Sequence, residues 1–257
     1  MPSLRQIDLS HDGRVLRGAF HAPERSLRGT VMLAHGLARS RTEPSRLLVD
    51  LARALQAEGF AVLAFDRAGH GESDGDLAEA AIPDEIDQLS AMLDYAQGPG
   101  PARVPVHMVG HGLGAAELAV LAARRPGDVA SLHLWAPAGN IAETLRDGHV
   151  EGVPLAGTGP TDFRGQGLGG GFRAAGQGLD MLAGLNRITC PVSLHHGSED
   201  AIVPVPVSEL YLMAMPQALR RLYPLGDHDF SRLDQRRVLI ASTVEAIADA
   251  AEARHAA

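Results

Sequence analysis

The sequence predicts an α/β fold, with a mostly parallel central sheet covered by helices on both faces. Three observations predict it. Short apolar runs recur along the 257 residues, and most end in Gly, Asp or Pro. Segments with helical spacing of apolar residues lie between them. Runs of near-continuous apolar residues fit strands buried on both faces. Their alternation with helices is the pattern of parallel sheets.

The elements follow in order. "IDLSHDGRVLRGAFHAP" reads as an antiparallel hairpin turning at His11–Gly13. Strands are expected at "TVMLAHG" (Thr30–Gly36), "FAVLAFD" (Phe60–Asp66), "VPVHMVG" (Val104–Gly110), "SLHLWAP" (Ser131–Pro137) and "CPVSLHHG" (Cys190–Gly197). Leu47, Leu48, Leu51, Ala52 and Leu55 form one helical stripe. Ile82, Ile86, Leu89, Leu93 and Ala96 form a second, whose first turn holds Pro83 and the acids Asp84, Glu85 and Asp87. An Ala-rich helix is expected over Ala115–Arg125. Val238, Ala241, Val244, Ile247, Ala248 and Ala251 form the last stripe. The Gly-rich stretch 140–187 breaks the alternation. A long aperiodic loop in a compact domain is more often a lid or binding segment than disorder. The expected division is a core over 1–139 and 188–257 and a small lid over 140–187.

Composition narrows the function. Apolar residues make up 45% and charged residues 21%, as in ordinary globular proteins. The net charge of −8 and a pI near 5.8 come with no basic stripe, which argues against a nucleic-acid surface. All 23 basic residues are arginine. Schiff-base chemistry, pyridoxal phosphate attachment and a P-loop each need a lysine, so they are excluded. Cys190 is the only cysteine, which rules out an intrachain disulfide and suits a core thiol. No signal-peptide pattern opens the chain, and no run approaches about 20 apolar residues. The expectation is a cytoplasmic protein without membrane, nucleic-acid, metal or cofactor partners, acting on a small molecule; a homodimer is compatible with it.

The candidate chemistry lies at strand ends, where open α/β sheets bind ligands. Four are informative. "AHGLARS" ends a strand at His35–Gly36. "GHGLG" runs from a strand into a helix, with Gly112 at the turn. "HHGSEDAIVP" places Asp200 in a turn after a strand. "YPLGDHDF" places His228 after the last short strand. The order along the chain is position 112, Asp200, His228. Bland alternatives exist: Asp200 as a cap near Val205, His228 as a turn histidine, and Arg39–Glu43 as a polar loop. Glu199 and Asp229 read as solvated neighbours. His195-His196 lacks a Cys or carboxylate at metal-ligand spacing.

These landmarks resemble the α/β-hydrolase superfamily, closest to its small-lid serine esterases of the feruloyl/cinnamoyl-esterase and serine aminopeptidase S33 types. "AHGLARSRTE", "FDRAGHGESDG", "VGHGLGA", "LWAPAG", "CPVSLHHGSEDAIVP" and "GDHDF" match in order over nearly the whole chain. Nucleophile, acid, histidine is the superfamily's order. The resemblance implies His228 as general base and Asp200 as its orienter. It implies the backbone N–H groups of Leu37 and Leu113 as an oxyanion hole, with His35 and His111 shaping the pocket. Trp135 and Phe172 are candidate apolar pocket walls, though apolar residues of the 140–187 stretch could equally form a lid core. The sequence departs from the family at two places: Ala68 stands where an Arg usually precedes Gly-His-Gly, and Gly112 stands where the nucleophilic serine belongs. Glycine tolerates the strained turn, so the shape should survive while covalent acyl transfer at 112 is lost. Three functions remain: a serine-less enzyme using His228–Asp200 acid–base chemistry on a small ester, lactone or thioester; a serine carboxylesterase inactivated by a Ser-to-Gly change; and a non-catalytic ligand-binding protein on a hydrolase scaffold.

Overall fold

A computed structural model describes residues 4–98, 104–157 and 159–255. Eight strands form the central sheet. In chain order they are β1 (Leu4–His11), β2 (Arg14–His21), β3 (Gly29–Ala34), β4 (Phe60–Phe65), β5 (Val106–His111) and β6 (Val129–Trp135), then β11 (Val192–Gly197) and β12 (Leu219–Tyr223). Their order across the sheet is β1-β2-β4-β3-β5-β6-β11-β12. Only β2 runs against the others; every pairing from β4 to β12 is parallel. The hairpin turns at Asp12 and Gly13, both with positive φ.

Alternation along the strands divides the core. Val31 and Leu33 join Val62, Val109 and Trp135 on the face covered by α1 (Leu47–Ala57) and α7 (Leu233–His255). Met32 and Ala34 join Leu63 and Met108 on the face covered by α2 (Ile82–Gln97), α3 (Gly112–Arg124) and α6 (Pro206–Ala214). Every residue of β4, β5 and β6 is buried, which explains their unbroken apolar runs. α3 begins three residues earlier than expected, at Gly112 itself. The stripe expected on α7 is rotated: Val238 is 47% exposed, while Leu239 and Thr243 are buried.

The stretch 140–187 holds local structure of its own. It contains α4 (Ile141–Arg146), the paired β7 (His149–Val150) and β8 (Val153–Pro154), the paired β9 (Thr161–Phe163) and β10 (Gln166–Leu168), and α5 (Gly170–Gly176). Leu145, Phe163 and Phe172 pack with Leu37 and Leu113 in one apolar cluster. The stretch therefore sits over the ends of β3 and β5. Among the described residues, no helix is long and apolar enough to cross a membrane. The α/β class expected from the sequence is the class observed, and its topology is that of an α/β-hydrolase.

Candidate active site

The corner between β5 and α3 fixes the site. Gly112 has φ +56°, a left-handed conformation that side-chain-bearing residues rarely adopt. Gly114, two residues on, lies against the end of β3: a Cβ there would fall 2.2 Å from the carbonyl oxygen of His35. That contact lets α3 press close to the strand ends. A Cβ built on Gly112 would lie 3.2 Å from His228 Nε2 and 3.9 Å from Gly36 Cα. The elbow, the imidazole and the loop after β3 thus converge on one point.

His228 is oriented from behind. Its Nδ1–H donates to Asp200 Oδ2 at 2.8 Å, which leaves Nε2 facing Gly112. Asp200 is anchored by its other oxygen, which accepts from the N–H groups of Ile202 and Val203, each at 2.8 Å. Asp200 does not cap the helix that begins at Pro206; its second oxygen instead ties down the turn at Ile202–Val203. Burial works against its charge. The contacts from His196 and His228 outweigh that and hold the carboxyl well below the usual range. His196 also donates to the carbonyl of Val203 at 2.8 Å.

Among the described residues, the Leu37 and Leu113 amides near Gly112 show no acceptor. Leu113 lies in the first turn of α3, where N–H groups have no helical partner. Leu37 follows Gly36, whose carbonyl accepts from His35 Nδ1–H at 2.8 Å and from Arg67 at 3.3 Å. In a trans peptide the N–H points opposite the carbonyl. Anchoring the Gly36 oxygen therefore turns the Leu37 N–H the other way. The His35 tautomer is set as well, because its Nε2 accepts the Arg67 backbone N–H at 3.1 Å. Burial and the Arg67 charge keep this ring neutral, pushing its pKa well below 6.5.

Sequence reasoning missed the charges around this frame. Arg67 has no solvent exposure; it donates to Glu85 at 2.8 Å and lies 3.7 Å from Glu117. Burial, together with the Glu85 charge, raises Glu117 far above the carboxylate range. Glu43, read from sequence as part of a polar loop, is 5% exposed. It accepts the Gly36 N–H at 2.5 Å and meets Arg39 at 3.3 Å and His111 Nδ1 at 3.2 Å. His111 sends its other nitrogen to the backbone carbonyl of His228 at 2.8 Å. Asp229 is likewise no bare solvated neighbour, since Arg39 holds it at 2.6 Å. No hydropathy signal separates such acids from surface ones. The one local mark is backbone strain, Glu43 having φ +57°.

Of the two candidate pocket walls, Trp135 is placed differently and Phe172 lies in a lid core. Trp135 has no exposed surface, packs on Phe230 and donates to Thr243. The alternation of β6 turns it beneath α7, so it is a core ring and not a pocket wall. Phe172 is also fully buried, inside the cluster that joins 140–187 to Leu37 and Leu113. Cys190 is buried, and burial pushes its thiol up to about 11. His111, His228 and Asp229 bring possible metal-ligand atoms within 4.8 Å of one another. They do not fit a metal centre: Arg39 holds Asp229, Asp200 holds His228 Nδ1, and a backbone carbonyl holds His111. A cavity of about 480 Å³ lies beside this cluster, lined by Ala38, Arg39, Ser40, Glu43, Arg164 and Asp229.

Residues 25–156 match the model of a family described as serine aminopeptidase, S33. A monoacylglycerol lipase of Mycolicibacterium smegmatis is 26% identical over 251 residues, spanning 84% of this chain and 87% of the lipase. The human monoglyceride lipase is 31% identical over 145 residues, 52% of this chain and 45% of that protein. The solved structure of ferulic-acid-bound Est1E from Butyrivibrio proteoclasticus aligns with a TM-score of 0.81. It is 22% identical and covers 95% of this chain and 96% of its own. At that identity the likeness concerns the fold.

Proposed function

We propose, for a chain that belongs to the serine aminopeptidase S33 family of α/β-hydrolases, that His228 and Asp200 perform acid–base chemistry on a small carbonyl substrate without a serine nucleophile. The substrate is an ester, lactone or thioester, and the outcome is hydrolysis, elimination or cyclisation. The observation that carries this reading is the 3.2 Å between His228 Nε2 and the position a Gly112 Cβ would take. The base faces the place where the attacking atom belongs, and that place has no side chain.

A water or a substrate hydroxyl seated there donates its proton to His228 Nε2. The attacking oxygen adds to the carbonyl carbon. The Leu37 and Leu113 N–H groups stabilise the negative oxygen that forms, as oxyanion donors do. His228 then returns the proton to the leaving group. Asp200 keeps the tautomer with Nε2 unprotonated and steadies the imidazolium between the two transfers. Serine proteases lacking a triad member retain about 10³–10⁴-fold acceleration over water, enough for activated esters and poor for amides. Residues 140–187 act as the lid, and the cavity at Arg39 and Arg164 serves as the approach to the site.

A second reading rests on the same geometry. The corner accepts a serine whose Oγ would reach His228, so the chain also fits an esterase inactivated by a Ser-to-Gly change. A third, a ligand-binding protein, has no observation of its own. Steady-state assays of the chain and of His228→Ala on short aryl esters and thioesters test the first reading. It expects turnover without an initial burst, falling at least about 100-fold in the variant. Equal rates in both proteins overturn it.

A further inference from the structure

Two loops must keep a fixed separation for the chemistry above. One carries Leu37 after β3; the other carries His228 after β12. They are far apart in the chain, and neither is part of a regular element. Glu43 touches the supports of both. Its Oε1 accepts the N–H of Gly36 at 2.5 Å, directly ahead of Leu37. Its Oε2 reaches the second loop by two arms. One arm is His111, which contacts Glu43 at 3.2 Å and donates to the His228 carbonyl at 2.8 Å. The other is Arg39, 3.3 Å from Glu43 and 2.6 Å from Asp229, the residue after His228.

We infer that Glu43 is a positioning residue, setting the separation between the Leu37 amide and the His228 imidazole through Gly36, His111 and Arg39. The inference rests on the reading above that these two groups act on substrate. Its side chain is fully buried, so water cannot replace the contacts. Its φ of +57° is costly for a residue with a Cβ, and such strain persists only where surroundings over-determine it. The charges agree. Burial disfavours a charged His111, but Glu43 outweighs it and raises the ring's pKa; Glu43 is correspondingly lowered. Glu43 and the His228 carbonyl flank the two ring nitrogens of His111, at 3.2 Å and 2.8 Å, and so favour a charge on the ring. Arg39 opposes that charge, and the His228 ring lies 4.7 Å away, centroid to centroid.

The test compares Glu43→Gln, Glu43→Asp and Glu43→Ala in the full chain. Glutamine keeps the length, can accept from Gly36 and can donate to a neutral His111, and gives up only the Arg39 contact. Aspartate keeps the charge but is too short to span both loops. NMR at neutral pH follows the Leu37 amide and the His228 Nδ1–H that Asp200 accepts. Glutamine should leave both signals in place while lowering the pKa of His111. Aspartate and alanine should displace both signals, with those of the distant His107 and His133 unmoved. In the Gly112→Ser background on a short aryl ester, glutamine should stay within about threefold of the parent. Alanine should lower kcat by about 30-fold or more with KM within about twofold, as misplacement of this kind does. Displaced signals without turnover in the Gly112→Ser protein keep the positioning role and defeat the esterase-like reading. The positioning role is overturned by unmoved signals in a folded Glu43→Ala or Glu43→Asp protein. It is equally overturned by a glutamine variant as perturbed as alanine, or by failure of both shortened variants to fold.

Discussion

Arg67 donates to the main-chain carbonyl of His35 at 2.9 Å from a position with no solvent exposure. Its charge is balanced by Glu85 at 2.8 Å, while burial and the Glu85 charge push the carboxyl of Glu117, at 3.7 Å, far above its usual range. Replacing Glu117 and replacing Arg67 should therefore differ in cost. Glu117→Gln puts a neutral isostere where burial favours the neutral carboxyl and should cost under about 1 kcal/mol. Arg67→Met leaves the Glu85 carboxylate buried and unpaired and should cost about 3–5 kcal/mol. Urea unfolding at neutral pH measures both.

Asp200 holds His228 in one tautomer through the 2.8 Å contact with Nδ1. An amide in its place can offer its N–H₂ to that nitrogen and so favour the wrong tautomer. Asp200→Asn should reduce His228-dependent turnover by about 10²–10⁴-fold. The amide oxygen can still accept from Ile202 and Val203. The loss should therefore fall on kcat, with the melting temperature nearly unchanged; a mutant of undiminished kcat would rule out the orienting role.

A second buried network predicts how stability depends on pH. Under α7, His107, Ser131, His133, Ser193, His195 and Tyr223 form one hydrogen-bonded chain across β5, β6, β11 and β12, with links of 2.7–3.1 Å. Burial lowers His107 to about 4 and His195 to about 3, from 6.5. The unfolded chain therefore binds more protons than the folded one below pH 6.5. Stability should be full above that pH and fall as the pH drops towards 4 and then 3. The His107 share is about 3 kcal/mol. Ser131→Ala strips a partner from two imidazoles and should cost about 1–3 kcal/mol for each orphaned nitrogen. Urea titrations between pH 7 and pH 4 give both quantities.

The sequence shows the strands well because burial on both faces leaves unbroken apolar runs, as in β4 and β6. It also gives the order Gly112, Asp200, His228, whose geometry brings the three together. It hides Glu43, Arg67 and Glu117, because a buried acid and a solvated one look alike until their partners arrive from distant elements. Trp135 misleads for a related reason: its strand register, not its chemistry, turns it beneath α7. The stretch 140–187 looks aperiodic because its helices and hairpins are too short to display a period.

Gly112→Ser carries a conformational cost. A side chain at φ +56° should destabilise by about 1–2 kcal/mol. For a chain of this size that is a fall of roughly 2–8 °C in Tm by calorimetry. The fold should hold, since the added Cβ meets the edge of the His228 ring at 3.2 Å and otherwise only Gly36 Cα at 3.9 Å.

Intact-mass analysis after exposure to an alkyl fluorophosphonate bears most directly on the claim that this corner keeps its shape while lacking its attacking oxygen. The chain with Gly112 should take up no phosphonyl group. Gly112→Ser should gain one, at residue 112, and lose it again when His228→Ala is added. Labelling of the unaltered chain, or a serine at 112 that stays unlabelled in a folded protein, would contradict the account.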